Sequence, residues 1–139
     1  KAVTRLQRIF PFLVKKHKNY LGLAENKLGI LALYKFCLCY ENNGHAKGSV
    51  TEKIFDALNS GSIPIYLGAP NIEVYVDPDT FIDRRHFKSD KELANFLINM
   101  TEEEHNKYIE AAIRFIKSEK YAKFLPSSFT DSIIWALDI

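Results

Sequence analysis

Hydrophobic and polar positions alternate in blocks along this chain. Phe36 to Tyr40 is apolar without a polar face, since Phe36, Leu38 and Tyr40 interleave with two small cysteines, Cys37 and Cys39. Such a run predicts a strand buried on both sides, as in a parallel sheet. A polar loop follows, holding Glu41, Asn42, Asn43, His45, Lys47, Ser49, Glu52 and Lys53. Apolar positions at 50, 54, 55, 57 and 58 then take a helical period, and Ile63 to Leu67 is a second short apolar run. Thr80 to Ile82 predicts a third strand. Ser89 with Glu92, and Thr101 with Glu104, are capping-box pairs that open helices over about 90–99 and 102–117. At the ends, residues 5–17 carry Leu6, Ile9, Phe10, Leu13 and Val14 at helical spacing despite Pro11, 28–33 is apolar with helix favoured, and 128–137 predicts a last helix.

Strand, loop, helix, strand in this order predicts an α/β domain. Ligands of open α/β sheets bind beyond the carboxyl ends of the strands, so the loop after Tyr40 is the expected site. Ser49 followed by Glu52 reads as a further capping box, with Ser49 as N-cap. A helix start there presents backbone N–H groups and the positive end of the helix dipole, and Lys53 adds a full charge. The expected guest is a phosphate.

Composition narrows the classes. One domain of 139 residues with 47% hydrophobic and 13% aromatic content can bury a core, roughly two-thirds of the surface its unfolded form exposes. A net charge of +2 does not describe a nucleic-acid surface, and no apolar run approaches the roughly 20 residues that span a bilayer. His17, His45, His86 and His105 are scattered, and zinc-type spacing is not present. Cys37 and Cys39, two apart on a strand, share a face and cannot easily bridge, which suits small core residues in a reducing compartment. The triplet Asn99-Met100-Thr101 is an N-glycosylation sequon pointing the other way. A sequence opening on Lys1, with Met100 as its one methionine, suggests a piece of a longer protein.

Four motifs stand in order: Tyr34-Lys35-Phe36, then Tyr40-Glu41-Asn42, then Ser49-Val50-Thr51-Glu52-Lys53, then Gly61 to Gly68 with Pro64 inside it. With Pro78 to Ile82 after them, they resemble the donor-binding region of the α1,3/4-fucosyltransferases over about residues 5–97. The resemblance implies a Rossmann-like three-layer domain with a parallel sheet, the C-terminal half of a two-domain GT-B enzyme. It implies inverting transfer of L-fucose from GDP-fucose to a GlcNAc or related sugar hydroxyl of a glycan acceptor, an α1,3-fucosyltransferase activity, without a metal or other cofactor and without nucleic acid. The acceptor and the catalytic base would belong to an N-terminal domain, so this chain alone would bind donor and turn over nothing. The compartment stays open between the bacterial cytoplasm, at the inner membrane face, and the Golgi lumen as part of a membrane-anchored enzyme.

Carried over residue by residue, Lys53 resembles the lysine on the donor diphosphate and Glu52 the glutamate facing fucose or ribose hydroxyls. Either could instead be a cap and a surface charge. Asn42 matches a ribose contact, and Ser49 and Val50 line the loop. Glu41 would be a donor contact or a residue holding that loop. Arg5 stands near the family's diphosphate arginine, with Arg8 as its rival. Ser49 departs from the aromatic residue usual in the family at that position. Two readings remain beside this one: a donor domain for another nucleotide-sugar, and a non-catalytic α/β module with a solvated charged rim.

Overall fold

The chain forms the two long strands of its sheet where apolar residues run without charge, and adds a two-residue third strand that ends on an aspartate. In the computed structural model, which describes residues 24–42, 46–125, 127, 128, 130 and 134, these strands are β1 (Phe36–Tyr40), β2 (Ile63–Leu67) and the short β3 (Ile82–Asp83). They are parallel in the order β1-β2-β3, with Leu38 opposite Ile65 and Tyr66 opposite Asp83. The helices are α1 (Lys27–Leu31), α2 (Glu52–Ser60), α3 (Asp90–Asn99), α4 (Glu102–Ile116) and α5 (Glu119–Ala122). The α/β architecture expected from the sequence is therefore the one observed.

Two hydrophobic clusters sandwich the sheet. Beneath α2, Cys39 and Tyr66 meet Ile54, Ala57 and Leu58, and Ala112 and Phe115 of α4 close that side. On the opposite face Ile63, Ile65 and Ile82 pack against Leu93 of α3, with Tyr108 and Ile109 of α4 around them. Neighbouring residues of β2 thus serve different layers, as pleating requires. Ile54, Ala57 and Tyr66 are wholly buried. At several kcal/mol for truncating a buried isoleucine or aromatic, these contacts fix where α2 lies on the sheet. Gly61 ends α2 in the left-handed conformation (φ 77°), donating to Ala57 and Leu58 carbonyls, and the chain turns directly into β2.

Several expectations need correction. β1 is not buried on both faces: Leu38 is 64% exposed, because β1 is an edge of the three described strands, and Phe36 and Tyr40 on the same face are covered only in part by the cluster around Ile65 and Leu93. Residues Pro78–Thr80 form a 3₁₀ turn, and the third strand starts only at Ile82. The proline at the first position supplies no N–H and pre-sets a turn. Helix α5, with Ser118 as its cap, was not foreseen. The helix expected over 5–17, and Arg5 and Arg8 with it, lies outside the described residues, as does most of the one expected over 128–137. Among the described residues no helix is long and apolar enough to cross a membrane.

Candidate functional site

The ends of β1 and β2 and the start of α2 meet at one carboxylate. Glu41 follows β1, and its N–H donates to Leu67 O at 2.8 Å, extending the strand ladder by one rung. Its side chain is 1% exposed. Thr51 N–H donates to Oε1 at 2.9 Å, Thr51 Oγ1 lies 3.0 Å from Oε1 and 2.8 Å from Oε2, and Lys53 Nζ lies 3.0 Å from Oε2. Burial pushes the Glu41 carboxyl up, but the Thr51 and Lys53 donors outweigh it, and the group sits below the usual carboxylate range.

Glycine makes this approach possible. A Cβ at Gly68 would stand 2.6 Å from Glu41 Cγ and overlap the hydroxyl of Tyr66. That hydroxyl accepts from Ala69 N–H at 3.0 Å, so the turn after β2 is held from inside. The loop before α2 is held from the other side: Gly48, at φ 75°, donates to Asn71 Oδ1 at 3.0 Å, and Val50 N–H closes onto Gly48 O at 2.9 Å. After β3, Asp83 pairs with Arg85 at 2.6 Å, and Arg85 Nη1 reaches Pro70 O at 3.2 Å. Burial raises the Asp83 carboxyl, and the Arg85 guanidinium and N–H bring it below its ordinary value.

The expected N-cap moves by two residues. Helix α2 begins at Glu52, so Thr51 and not Ser49 is the N-cap, and the Ser49–Glu52 capping box does not form. Thr51 itself makes no side-chain cap bond, its hydroxyl being turned to Glu41. The first-turn N–H groups of α2 therefore meet no side-chain acceptor among the described residues.

The expected site residues separate accordingly. Lys53 turns inward to Glu41 and keeps 32% of its side chain exposed. Glu52, one residue earlier, turns outward: it is 68% exposed, with Oε1 4.0 Å from Lys27 Nζ. Lys27 is bound mainly to Asp56. Asn42 is exposed beside the strand end, while Ser49 and Val50 are half-buried, Val50 against the cluster beneath α2. Glu41 presents no free oxygen to a ligand, and of its two expected roles holding the loop is the one the geometry fits. Thr51, Tyr66 and Gly68 lie inside the motifs read from the sequence, but the sequence reading gives none of them a role at the site. A threonine just before Glu-Lys was the available signal for the first, whereas nothing local marks a carboxylate that reaches ten residues along the chain.

Among the described residues no three His, Cys, Asp or Glu side chains converge as a metal site. Cys37 and Cys39 are both free, and Cys39 alone is fully buried. Two cavities of about 550 and 440 Å³ adjoin along Pro78, Phe96 and Tyr108, beside β3. Neither is lined by Glu41, Thr51 or Lys53, so the converging polar groups and not cavity size mark the candidate site.

Comparison with known proteins bears on the same segment. The pattern of glycosyltransferase family 10 (fucosyltransferase), C-terminal part, matches residues 13–127. An alpha-(1,4)-fucosyltransferase of Arabidopsis thaliana is 38% identical over 89 residues, 64% of this chain and 22% of that protein. The alpha-(1,3)-fucosyltransferase FucT of Helicobacter pylori is 41% identical over 81 residues, 58% of this chain and 17% of the relative. A crystal structure of an alpha1,3-fucosyltransferase with GDP-fucose superposes with a TM-score of 0.55 at 37% identity, covering 68% of this chain and 28% of that one. The chain thus spans about a fifth of the length of the curated relatives it matches.

Proposed function

This chain belongs to glycosyltransferase family 10, the fucosyltransferases, and we propose that it supplies the GDP-fucose site of an inverting α1,3-fucosyltransferase. The observation that carries the reading is Lys53, held by Glu41 at 3.0 Å beside the uncapped start of α2. A partly exposed ammonium next to open helix N–H groups is suited to a diphosphate.

In this reading the diphosphate of GDP-fucose lies at the start of α2. Lys53 Nζ and the first-turn N–H groups neutralise it as it departs, which stabilises the leaving group where charge develops. Arg5 is proposed as a second cation there, its guanidinium able to donate two parallel hydrogen bonds to phosphate oxygens. Asn42, Ser49 and Val50 form the rim for the nucleoside. Glu52, whose one ion-pair partner among the described residues is Lys27, is proposed to face sugar hydroxyls, and to stabilise positive charge growing at the anomeric carbon. Inversion requires a base that deprotonates the acceptor hydroxyl on the face opposite the diphosphate. That base and the glycan acceptor are assigned to a further domain of a longer enzyme, outside the segment matched here.

Thermal unfolding with nucleotides tests the reading. A ligand that binds only the native state at about ten times its Kd stabilises by roughly 1.4 kcal/mol. GDP and GDP-fucose should raise the melting temperature more than UDP does. Equal shifts from GDP and UDP would refute the guanine assignment, and no shift at millimolar GDP would refute the donor site.

A further inference from the structure

We propose that Glu41 is a positioning residue for the donor diphosphate: it draws the Thr51 hydroxyl off the start of α2 and aims Lys53 at the N–H groups so exposed. The inference rests on the diphosphate reading above and assigns Glu41 a role without contact to the donor.

Three observations support it. First, Thr51 occupies the N-cap with the usual extended backbone (φ −106°, ψ 179°), a position from which its hydroxyl would ordinarily accept from the first turn. Both oxygens of Glu41 lie within 3.0 Å of that hydroxyl, and the cap bond is absent. Second, an ammonium has three donors, and Glu41 occupies one of those on Lys53 at 3.0 Å. The cation is fixed in place yet retains donors for a ligand. Third, Glu41 cannot follow its partners if they move. Its backbone is a rung of the β1–β2 ladder, and Gly68 packs on its Cγ.

Electrostatics alone predicts the opposite of this role. A carboxylate near an anion site repels the anion, so neutralising Glu41 would tighten diphosphate binding if charge were all that mattered. Positioning predicts weaker binding. The sign of the effect therefore discriminates.

The experiment titrates GDP, and inorganic pyrophosphate as the diphosphate alone, into the full chain by calorimetry. Wild type, Glu41→Gln, Lys53→Ala and the double variant are compared, each verified by a native melting transition. Glu41→Gln should bind both ligands at least about tenfold more weakly, the loss of roughly one charge-assisted contact. On a Lys53→Ala background the same change should cost several-fold less than in wild type, because the part of its effect that runs through Lys53 is already lost and only the part through Thr51 is left. Unchanged or tighter binding by Glu41→Gln, or a loss that adds in full to that of Lys53→Ala, overturns the inference. A wild type that binds neither ligand refutes the donor site itself, a different failure. Should Glu41→Gln lack a melting transition, Glu41→Asp, which keeps the charge one methylene short, is judged in the same cycle by the same criteria.

Discussion

The starts of α2 and α4 carry the same four-residue signal and use it differently. At α4, Thr101 Oγ1 accepts from Glu104 N–H at 3.2 Å, and Glu104 Oε2 accepts from Thr101 N–H at 2.8 Å, a complete reciprocal cap. At α2 the serine and glutamate stand at the same spacing, yet the helix starts two residues later and its threonine is bound to a carboxylate on another element. Helix α3 is intermediate: Ser89 caps Glu92 N–H at 3.1 Å, while Glu92 reaches past it to Lys88 N–H at 2.7 Å. Local pattern determines a helix start when nothing else competes for the hydroxyl. A buried charge within reach overrides it, since charge-assisted hydrogen bonds are about twice as strong as neutral ones.

Substitutions sharpen the comparison. The largest effect is expected for Lys53→Ala in a full-length enzyme, on the order of 2–4 kcal/mol in kcat/KM, from the lost contact to the departing diphosphate. The variant also leaves the Glu41 carboxylate, 1% exposed, without its cation. Steady-state kinetics at wild-type kcat/KM would erase the functional difference between the two helix starts. Next is Gly68→Ala, whose methyl would meet Glu41 and Tyr66; overpacking typically costs about 1–3 kcal/mol, read in a denaturant melt, and GDP affinity should fall with it.

Smaller is Thr101→Ala, about 1 kcal/mol of stability with GDP affinity unchanged, set beside Ser49→Ala, within about 0.5 kcal/mol because Ser49 caps nothing. Equal losses at the two positions, in paired denaturation curves, would show that Ser49 is a cap after all. The smallest effect concerns pH. Glu41 is held below its ordinary carboxyl range, so the stability it contributes is present above the unfolded value of about 4.3 and is lost as pH falls through the lower folded value. Unfolding followed between pH 6 and 3 should show a shallower acid-side loss in Glu41→Gln than in wild type.

Much of the fold was legible because period and type agreed. Ile63 to Leu67 is an uncharged apolar run with two β-branched isoleucines, lying between Gly61 and Gly68, and α3 and α4 carry their caps in sequence. β1 was legible as a strand but not as an edge, since Leu38 looks the same in sequence whether or not a neighbour covers it. The candidate site was legible as a loop and a helix start, with Lys53 among its residues. Its organisation was not, because Glu41, Thr51, Tyr66 and Gly68 come together only when β1 and β2 pair. A capping rule looks three residues ahead, and the decisive contacts span ten and twelve.

The two cysteines of β1 carry a kinetic record of how firmly α2 is seated. Cys39 is wholly buried, its thiol pushed up by the Cys37 side chain and by burial, and its Sγ lies 3.3 Å from Lys53 O at the first turn of α2. Cys37, two residues back and half-buried, is lowered to about 7 by the neighbouring Cys39 thiol. A thiol reagent therefore meets one cysteine that ionises near neutrality and one that reacts only when α2 lifts from the sheet. The ratio of the two labelling rates measures the opening of the helix that would hold the diphosphate, and GDP should slow the second rate while leaving the first.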